Sequence, residues 1–207
     1  MRLLRTGKGK DHEKMKKVIL ASGSPRRKEL LEQIGAVFEV RKTDGEEVLL
    51  SRIPEKAAEE LALQKAREAA ERWEGDVIIG ADTVVSADGM ILGKPKDRED
   101  AFRMLQMLQG KEHEVVTGVA LILQPSGRCV HFAEKTKVRV YPMTKAQIER
   151  YVDSGEPMDK AGAYGIQGKF AAYISGIEGD YNNVVGLPVG RLYQELLKTG
   201  IDLLAKQ

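Results

Sequence analysis

The chain has 207 residues, 42% hydrophobic and 31% charged, with 21 Gly and 7 Pro. This is a globular composition that excludes a fibrous or disordered protein, and a chain of this length buries about 70% of its unfolded surface without a disulfide or metal staple. Residues 1–17 hold seven Lys/Arg and two Asp/Glu, so of the totals of 33 and 31 the other 190 residues keep 26 basic and 29 acidic side chains. A mildly acidic body argues against a phosphate-tracking surface for nucleic acid. The longest apolar run, Val119 to Leu123, excludes a helical membrane span. Cys129 is the single cysteine, which excludes an internal disulfide and a multi-cysteine zinc site. With no secretory segment after the basic start, a cytoplasmic protein is expected. Residues 1–15 read as a basic, flexible extension, with Met15 an alternative start, and residues 16–207 as one domain.

Extended and helical patterns alternate along the chain, which predicts an α/β class. Lys17 to Ala21 reads as a buried strand. Ser24 as N-cap and Pro25 at the first helical position open a helix that runs to about Gly35. Val37 to Arg41 is a second short strand. Pro54 opens a long helix to about Trp73, with Ala58, Leu61, Ala62, Lys65 and Ala69 near helical spacing. Asp76 to Ala81 is a buried strand, and Ser86-Ala87-Asp88-Gly89 supplies hairpin chemistry. Asp97 caps a helix that stops at Gly110. Glu114 to Leu123 and Arg128 to Tyr141 are long strands joined by Pro125-Ser126-Gly127. Thr144 and Gln147 form a capping box for a helix ending near Gly155. Gly162 to Gly190 is glycine-dense and broken, more like a binding surface than a regular element.

The sequence contains no Walker-type phosphate loop, dinucleotide fingerprint, HExxH or GxSxG motif. His12, His113 and His131 are scattered and read as structural or surface residues, which argues against Ser–His hydrolase chemistry. Ser22-Gly23-Ser24-Pro25-Arg26-Arg27 places small residues and two guanidiniums at a helix start after a strand. That pattern suits a phosphate, or simply a capped helix with solvated arginines. Asp82, at the end of an apolar strand, suits a metal ligand or a water-activating base; the plainer reading is a turn aspartate bonded to its own backbone. Lys94 in Gly93-Lys94-Pro95 can meet a phosphate as a point charge. Lys65 falls on the inner side of its helix, either for a purpose or as a snorkelling side chain.

Seven strings occur in order: ASGSPRRKELL, LALQKA, IIGADTVV, GKPKDREDA, HEVVTGVAL, EPMDKAGAYGIQG and GDYNNVVGLP. Together they resemble the Maf family of nucleoside triphosphate pyrophosphatases, from about Lys16 to Leu197. The resemblance implies a mixed-sheet, elongated, two-lobed α/β fold with a central cleft, similar to inosine-triphosphate pyrophosphatases, and a homodimer. It implies hydrolysis of a nucleoside triphosphate to the monophosphate and diphosphate with a divalent cation, Mg or Mn. By matching motif the proton acceptor is Asp82. Phosphate contacts are Ser22, Arg26, Arg27, Lys65 and Lys94; the metal contacts are Asp82 with Glu46 or Glu47. Substrate choice maps to Arg26, Thr83 and Gln167, and YGIQG resembles the branch acting on dTTP and UTP. The first 14 residues fall outside the family pattern. The rival reading is a non-catalytic nucleotide-binding regulator of cell division, which needs phosphate anchors but no carboxylate at the scissile bond.

Overall fold

The structure, a computed structural model, describes residues 16–205; the basic extension and His12 lie outside them. Seven strands and six helices follow the order β1 (Val18–Ala21), α1 (Pro25–Gln33), β2 (Glu39–Val40), α2 (Pro54–Arg72), β3 (Val77–Ala87), β4 (Met90–Leu92), α3 (Arg98–Leu108), β5 (Glu112–Leu123), β6 (Arg128–Val140), α4 (Lys145–Asp153), β7 (Ile174–Glu178), α5 (Tyr181–Val185) and α6 (Val189–Lys198). The fold is mixed α/β. One sheet runs β2-β1-β3-β5-β6-β7, with β4 added to β3. β1 pairs parallel with β2 and β3, and every other pairing is antiparallel.

The sheet carries two principal cores on one face. Val77, Ile79 and Ala81 of β3 pack with Leu30 and Leu31 of α1 and with Leu192 and Leu196 of α6. Further along the same strand, Val85 and Ala87 join Leu105, Leu108, Ile148 and Phe170 in a second core. Two lobes therefore share one sheet, and β3 passes between them at Asp82-Thr83. That transition coincides with a gap in pairing. β1 covers one edge of β3 as far as Gly80, and β4 takes up the same edge only from Val85. β5 pairs along the other edge from Val77 to Ser86. Ala81 to Val84 therefore present a free edge, and a cleft opens there beside the C-terminal end of β1.

On the opposite face α2 lies against the sheet through Ala58, Ala62, Ala66 and Ala69, all fully buried. Its approach is closer than a side chain permits. A Cβ on Gly80 would stand 2.3 Å from the Ala62 carbonyl oxygen, and one on Gly118 would stand 2.1 Å from the Ala58 carbonyl group. Alanine on the helix and glycine on the strands thus set the helix depth, and with it the height of Lys65 above the sheet.

Most element boundaries agree with the sequence reading to within a residue or two. The capping box at Thr144 and Gln147 has both reciprocal bonds, and the Asp97 side chain accepts from the Asp100 N–H. Asp88 and Gly89 make the β3–β4 turn with φ of 48° and 75°. Four features differ. β3 continues through Asp82 to Ala87, because Thr83, Val84 and Val85 keep their ladder to β5; Asp82 is a mid-strand residue. The strand expected over Val37 to Arg41 contracts to Glu39–Val40, with Val37 exposed. Ser24 stands at the N-cap of α1 without a side-chain capping bond. The broken region does contain three short 3₁₀ turns, but it also contains β7 and α5 and leads into α6.

Candidate active site

The cleft at the free edge of β3 has a volume of about 750 Å³, within the range of small-molecule sites. It gathers Ser22, Arg26, Arg27, Glu47, Lys65, Asp82, Thr83, Lys94 and Gln167. Of the ten positions singled out in the sequence, only Glu46 is not part of its wall. Successive strand residues point to opposite faces, so Asp82 faces α2 while Thr83 faces α1. Only an unpaired edge lets both reach one cavity.

On the α2 side, Lys65 is the centre of a charged triad. Its ammonium donates to Asp82 Oδ1 and lies 3.0 Å from Glu47 Oε1. The Lys65 and Asp82 side chains are only 17% and 14% exposed, so their pairing is what makes burial of either charge tolerable. Glu47 sits on a segment without regular structure, yet it is held from below. Gln64 bonds both the N–H and the carbonyl of Val48, at 3.1 and 2.8 Å, and Glu68 accepts from the N–H groups of Asp44 and Gly45. Gln64, Lys65 and Glu68 are neighbours on one helix face, so α2 positions both carboxylates at once. The sequence offered Lys65 as an anomaly among alanines and leucines; the anomaly is resolved by Asp82 and Glu47.

On the α1 side the two arginines part. Arg27 is 9% exposed, and all three of its nitrogens are engaged. Nε donates to the Gly186 carbonyl at 2.8 Å, Nη1 to Ser22 Oγ at 3.1 Å and Nη2 to Thr83 Oγ1 at 3.1 Å. Burial pulls its guanidinium below the ordinary arginine value, and the nearby Asp82 charge opposes that shift. Thr83 Oγ1 also meets Thr117 Oγ1 at 2.9 Å, and Thr117 donates to the Asn183 carbonyl at 3.0 Å. Arg27 therefore ties the loop after β1, the strand β3 and the turn after α5 into one wall of the cleft. Arg26 is freer, with one ion pair to Asp159 at 3.5 Å across the cleft mouth. Lys94, on the loop after β4, is exposed and makes no ion pair among the described residues.

Gln167 is exposed on a turn closed by the Gly168 N–H to the Gly165 carbonyl at 3.2 Å. Ile166 beside it packs on the first core and Tyr164 on the second, so this turn bridges the lobes. Three residues that sequence reasoning missed complete the setting: Thr117, Asn183 and Lys160. Thr117 and Asn183 are fully buried; polar residues in VVTGVAL and YNNVV carried that signal. His113 is buried as expected of a structural histidine, its Nε2 2.7 Å from the Tyr164 hydroxyl, and desolvation lowers it to about 4.

The donor set tests whether a divalent cation fits. Asp82 and Glu47 converge on one ammonium, and both offer oxygen ligands of the kind that hard cations take. No group of three or more His, Cys, Asp or Glu that could hold a metal occurs among the described residues. Two carboxylates with the remaining ligands supplied by phosphates and water is the pattern of Mg²⁺ sites. The residues fit.

The family model described as Maf-like protein matches residues 17–199. A dTTP/UTP pyrophosphatase of Agathobacter rectalis is 54% identical over 205 residues, covering 91% of this chain and 100% of that one. That of Carboxydothermus hydrogenoformans is 52% identical over 184 residues, covering 89% and 99%. A Bacillus cereus enzyme of the same name is 48% identical over 195 residues, covering 94% and 95%. Among solved structures, the Staphylococcus aureus Ham1 protein aligns over 60% of this chain and 72% of its own, with a TM-score of 0.46 and 17% identity. With a family match along nearly its whole described length and relatives at half identity, this chain belongs to the Maf-like protein family.

Proposed function

We propose that this chain is a nucleoside triphosphate pyrophosphatase that hydrolyses dTTP and UTP to the monophosphate and diphosphate. The observation that carries the reading is the pairing of Asp82 and Glu47 on Lys65 beneath a cleft that has cationic side chains on one wall and Gln167 on another. A protein that only binds nucleotides needs the cations; it does not need two carboxylates held under the phosphates. The names of the relatives supply the substrate class.

Arg26, Lys94 and the amides at the start of α1 take the β- and γ-phosphates, with Arg27 and Ser22 fixing the loop that presents them. Asp82 accepts the proton of a water that attacks the α-phosphorus. The new bond is from water oxygen to that phosphorus, the bond broken is the one to the bridging oxygen, and diphosphate carries away the electron pair. Lys65 aims Asp82 through their ion pair, and its charge lies where negative charge builds in the transition state. Asp82 and Glu47 would hold a divalent cation, which supplies charge neutralisation on the triphosphate and polarisation of water. Thr83, Arg26 and Gln167 govern substrate choice. The Gln167 carboxamide accepts from the ring N–H of uracil or thymine and donates to a ring carbonyl. Cytosine presents the wrong pattern at this edge, at a cost of about 1–3 kcal/mol for the buried group left unpaired.

No helix among the described residues is long and apolar enough to cross a membrane. A cytoplasmic homodimer is the setting proposed with this activity; Val48, Leu50 and Ile53, at 48%, 73% and 50% exposure, leave an apolar strip for a second copy. The test is diphosphate release from UTP, dTTP, CTP and GTP with Mg²⁺ or Mn²⁺. Turnover of UTP and dTTP well above CTP is expected; tight nucleotide binding without turnover would establish the regulator instead.

A further inference from the structure

Gln167 is exposed on a glycine-flanked turn, so the direction of its side chain depends on how firmly the turn backbone is held. The structure supplies a brace from the second lobe. Tyr151, on α4 and 3% exposed, donates its hydroxyl to Glu156 Oε1 at 3.0 Å. The same hydroxyl accepts the Gly165 N–H at 3.3 Å. Glu156 Oε2 accepts the Lys169 N–H at 3.0 Å. One phenol and one carboxylate thus grip the backbone on both sides of the Gly165–Gly168 turn.

The fit is close on the glycine side as well. A Cβ on Gly168 would stand 2.0 Å from Glu156 Oε1, and one on Gly165 would stand 2.7 Å from Lys160 Cε. A side chain at position 168 would therefore displace the bracing carboxylate itself, whereas one at position 165 would have to push aside only the flexible end of Lys160. Lys160 closes the arrangement from below, its ammonium 2.7 Å from the Glu156 carbonyl and 2.6 Å from Asp159 Oδ1. Tyr151 itself is fixed by Phe170, whose ring centroid lies 5.0 Å away. Burial, and then the Glu156 charge, hold the phenol well above its ordinary value, so it remains a donor at any working pH.

We infer that Tyr151 and Glu156 are positioning residues for base selection, acting through the Gly165–Gly168 turn to aim Gln167 into the cleft. The inference rests on the proposed role of Gln167 in reading the base. Neither side chain has to touch the nucleotide. A fixed carboxamide discriminates uracil from cytosine by leaving a polar group unpaired, whereas a wandering one relaxes and pairs with either. Loss of the brace is therefore expected to lower selectivity before it lowers turnover.

The experiment compares kcat/KM for UTP, dTTP, CTP and GTP in the full chain and in Tyr151→Phe, Glu156→Gln, Gln167→Ala and the double variant Tyr151→Phe/Gln167→Ala. Tyr151→Phe keeps the packing against Phe170 and removes only the hydroxyl; Glu156→Gln keeps the shape and removes the charge. The UTP-to-CTP ratio is expected to fall about fivefold in Tyr151→Phe and about tenfold in Glu156→Gln, with GTP turnover changed little. In the double variant the ratio is expected to match Gln167→Ala alone, because the brace acts only through that side chain. Equal losses on all four substrates in both single variants would overturn the inference and leave the brace a general support of the fold. Full additivity in the double variant would overturn it too. A Gln167→Ala variant that retains the wild-type ratio would remove the base-reading role of Gln167, a failure visible in that arm alone, and the inference would fall with it.

Discussion

Replacing Gly118 by alanine tests whether the depth of α2 sets the chemistry. The added Cβ would lie 2.1 Å from the carbonyl carbon and oxygen of Ala58, where ordinary contact begins at 3.4 Å. The obstacle is helix backbone and cannot rotate away, so α2 must retreat by about 1.3 Å, the difference between those distances. Gly118 is the β5 partner of Asp82, so the retreat opens the interface where Lys65 meets Asp82. Overpacking of this kind costs about 1–3 kcal/mol, which for a chain of this size lowers the melting temperature by about 3–10 °C. A misplacement on the order of 1 Å at the reacting groups lowers kcat by about 100-fold. Gly190→Ala is the matched control. Gly190 is exposed in the first turn of α6, and its added Cβ meets nothing within 4 Å, so the same methyl group stabilises the helix by about 0.5–1 kcal/mol and leaves activity unchanged. Thermal unfolding and steady-state UTP hydrolysis on the two variants provide the measurement. Wild-type stability and kcat in Gly118→Ala would refute the argument outright; lost stability with intact kcat would show that helix depth does not govern Lys65.

Asp82→Asn should lower kcat by about 100-fold or more with little change in unfolding, since Lys65 retains Glu47 and the amide can still accept its bond; near wild-type kcat would remove Asp82 as the base. Glu47→Gln should raise the Mg²⁺ needed for half-maximal activity by about tenfold, while Glu46→Gln, outside the cleft wall, should be indistinguishable from wild type in the same titration. His113 supplies a pH dependence of stability. Its folded value is lowered to about 4 from 6.5, so the unfolded chain takes up a proton first as pH falls. The stability carried by the neutral ring is complete above pH 6.5 and declines between pH 6.5 and 4, by about 3 kcal/mol in all. Urea unfolding of wild type and His113→Gln across that range should show the slope in wild type alone, and parallel curves would contradict it.

Local signals were legible where backbone chemistry is local. Pro54, Asp97 and the Thr144–Gln147 box announced helix starts, and Asp88-Gly89 announced the hairpin. The candidate site was legible as separate segments because each carries a residue at odds with its surroundings: Asp82 in an apolar strand, Lys65 among alanines. Their meeting was not legible, because it depends on Gly80 and Gly118 admitting α2 to the sheet, and a glycine in a strand looks the same whatever lies above it. The end of β3 was misplaced for a related reason. Asp82 breaks the apolar pattern, but the ladder to β5 continues under it. The helix α6 was overlooked because Gly190 disguised its start, although Val189, Leu192 and Leu196 keep helical spacing on a buried face. The difference between Arg26 and Arg27 was beyond sequence reading, since the partners of Arg27 include Thr83 and Gly186, 56 and 159 residues away.

The central claim is that water held by Asp82 attacks the α-phosphorus of a pyrimidine nucleoside triphosphate. Hydrolysis of UTP in ¹⁸O-labelled water, with the products separated and weighed by mass spectrometry, tests it most directly. The expected products are UMP and diphosphate, with one labelled oxygen in UMP and none in diphosphate. Label in diphosphate or orthophosphate, or formation of UDP, would place the attack at another phosphorus and contradict it.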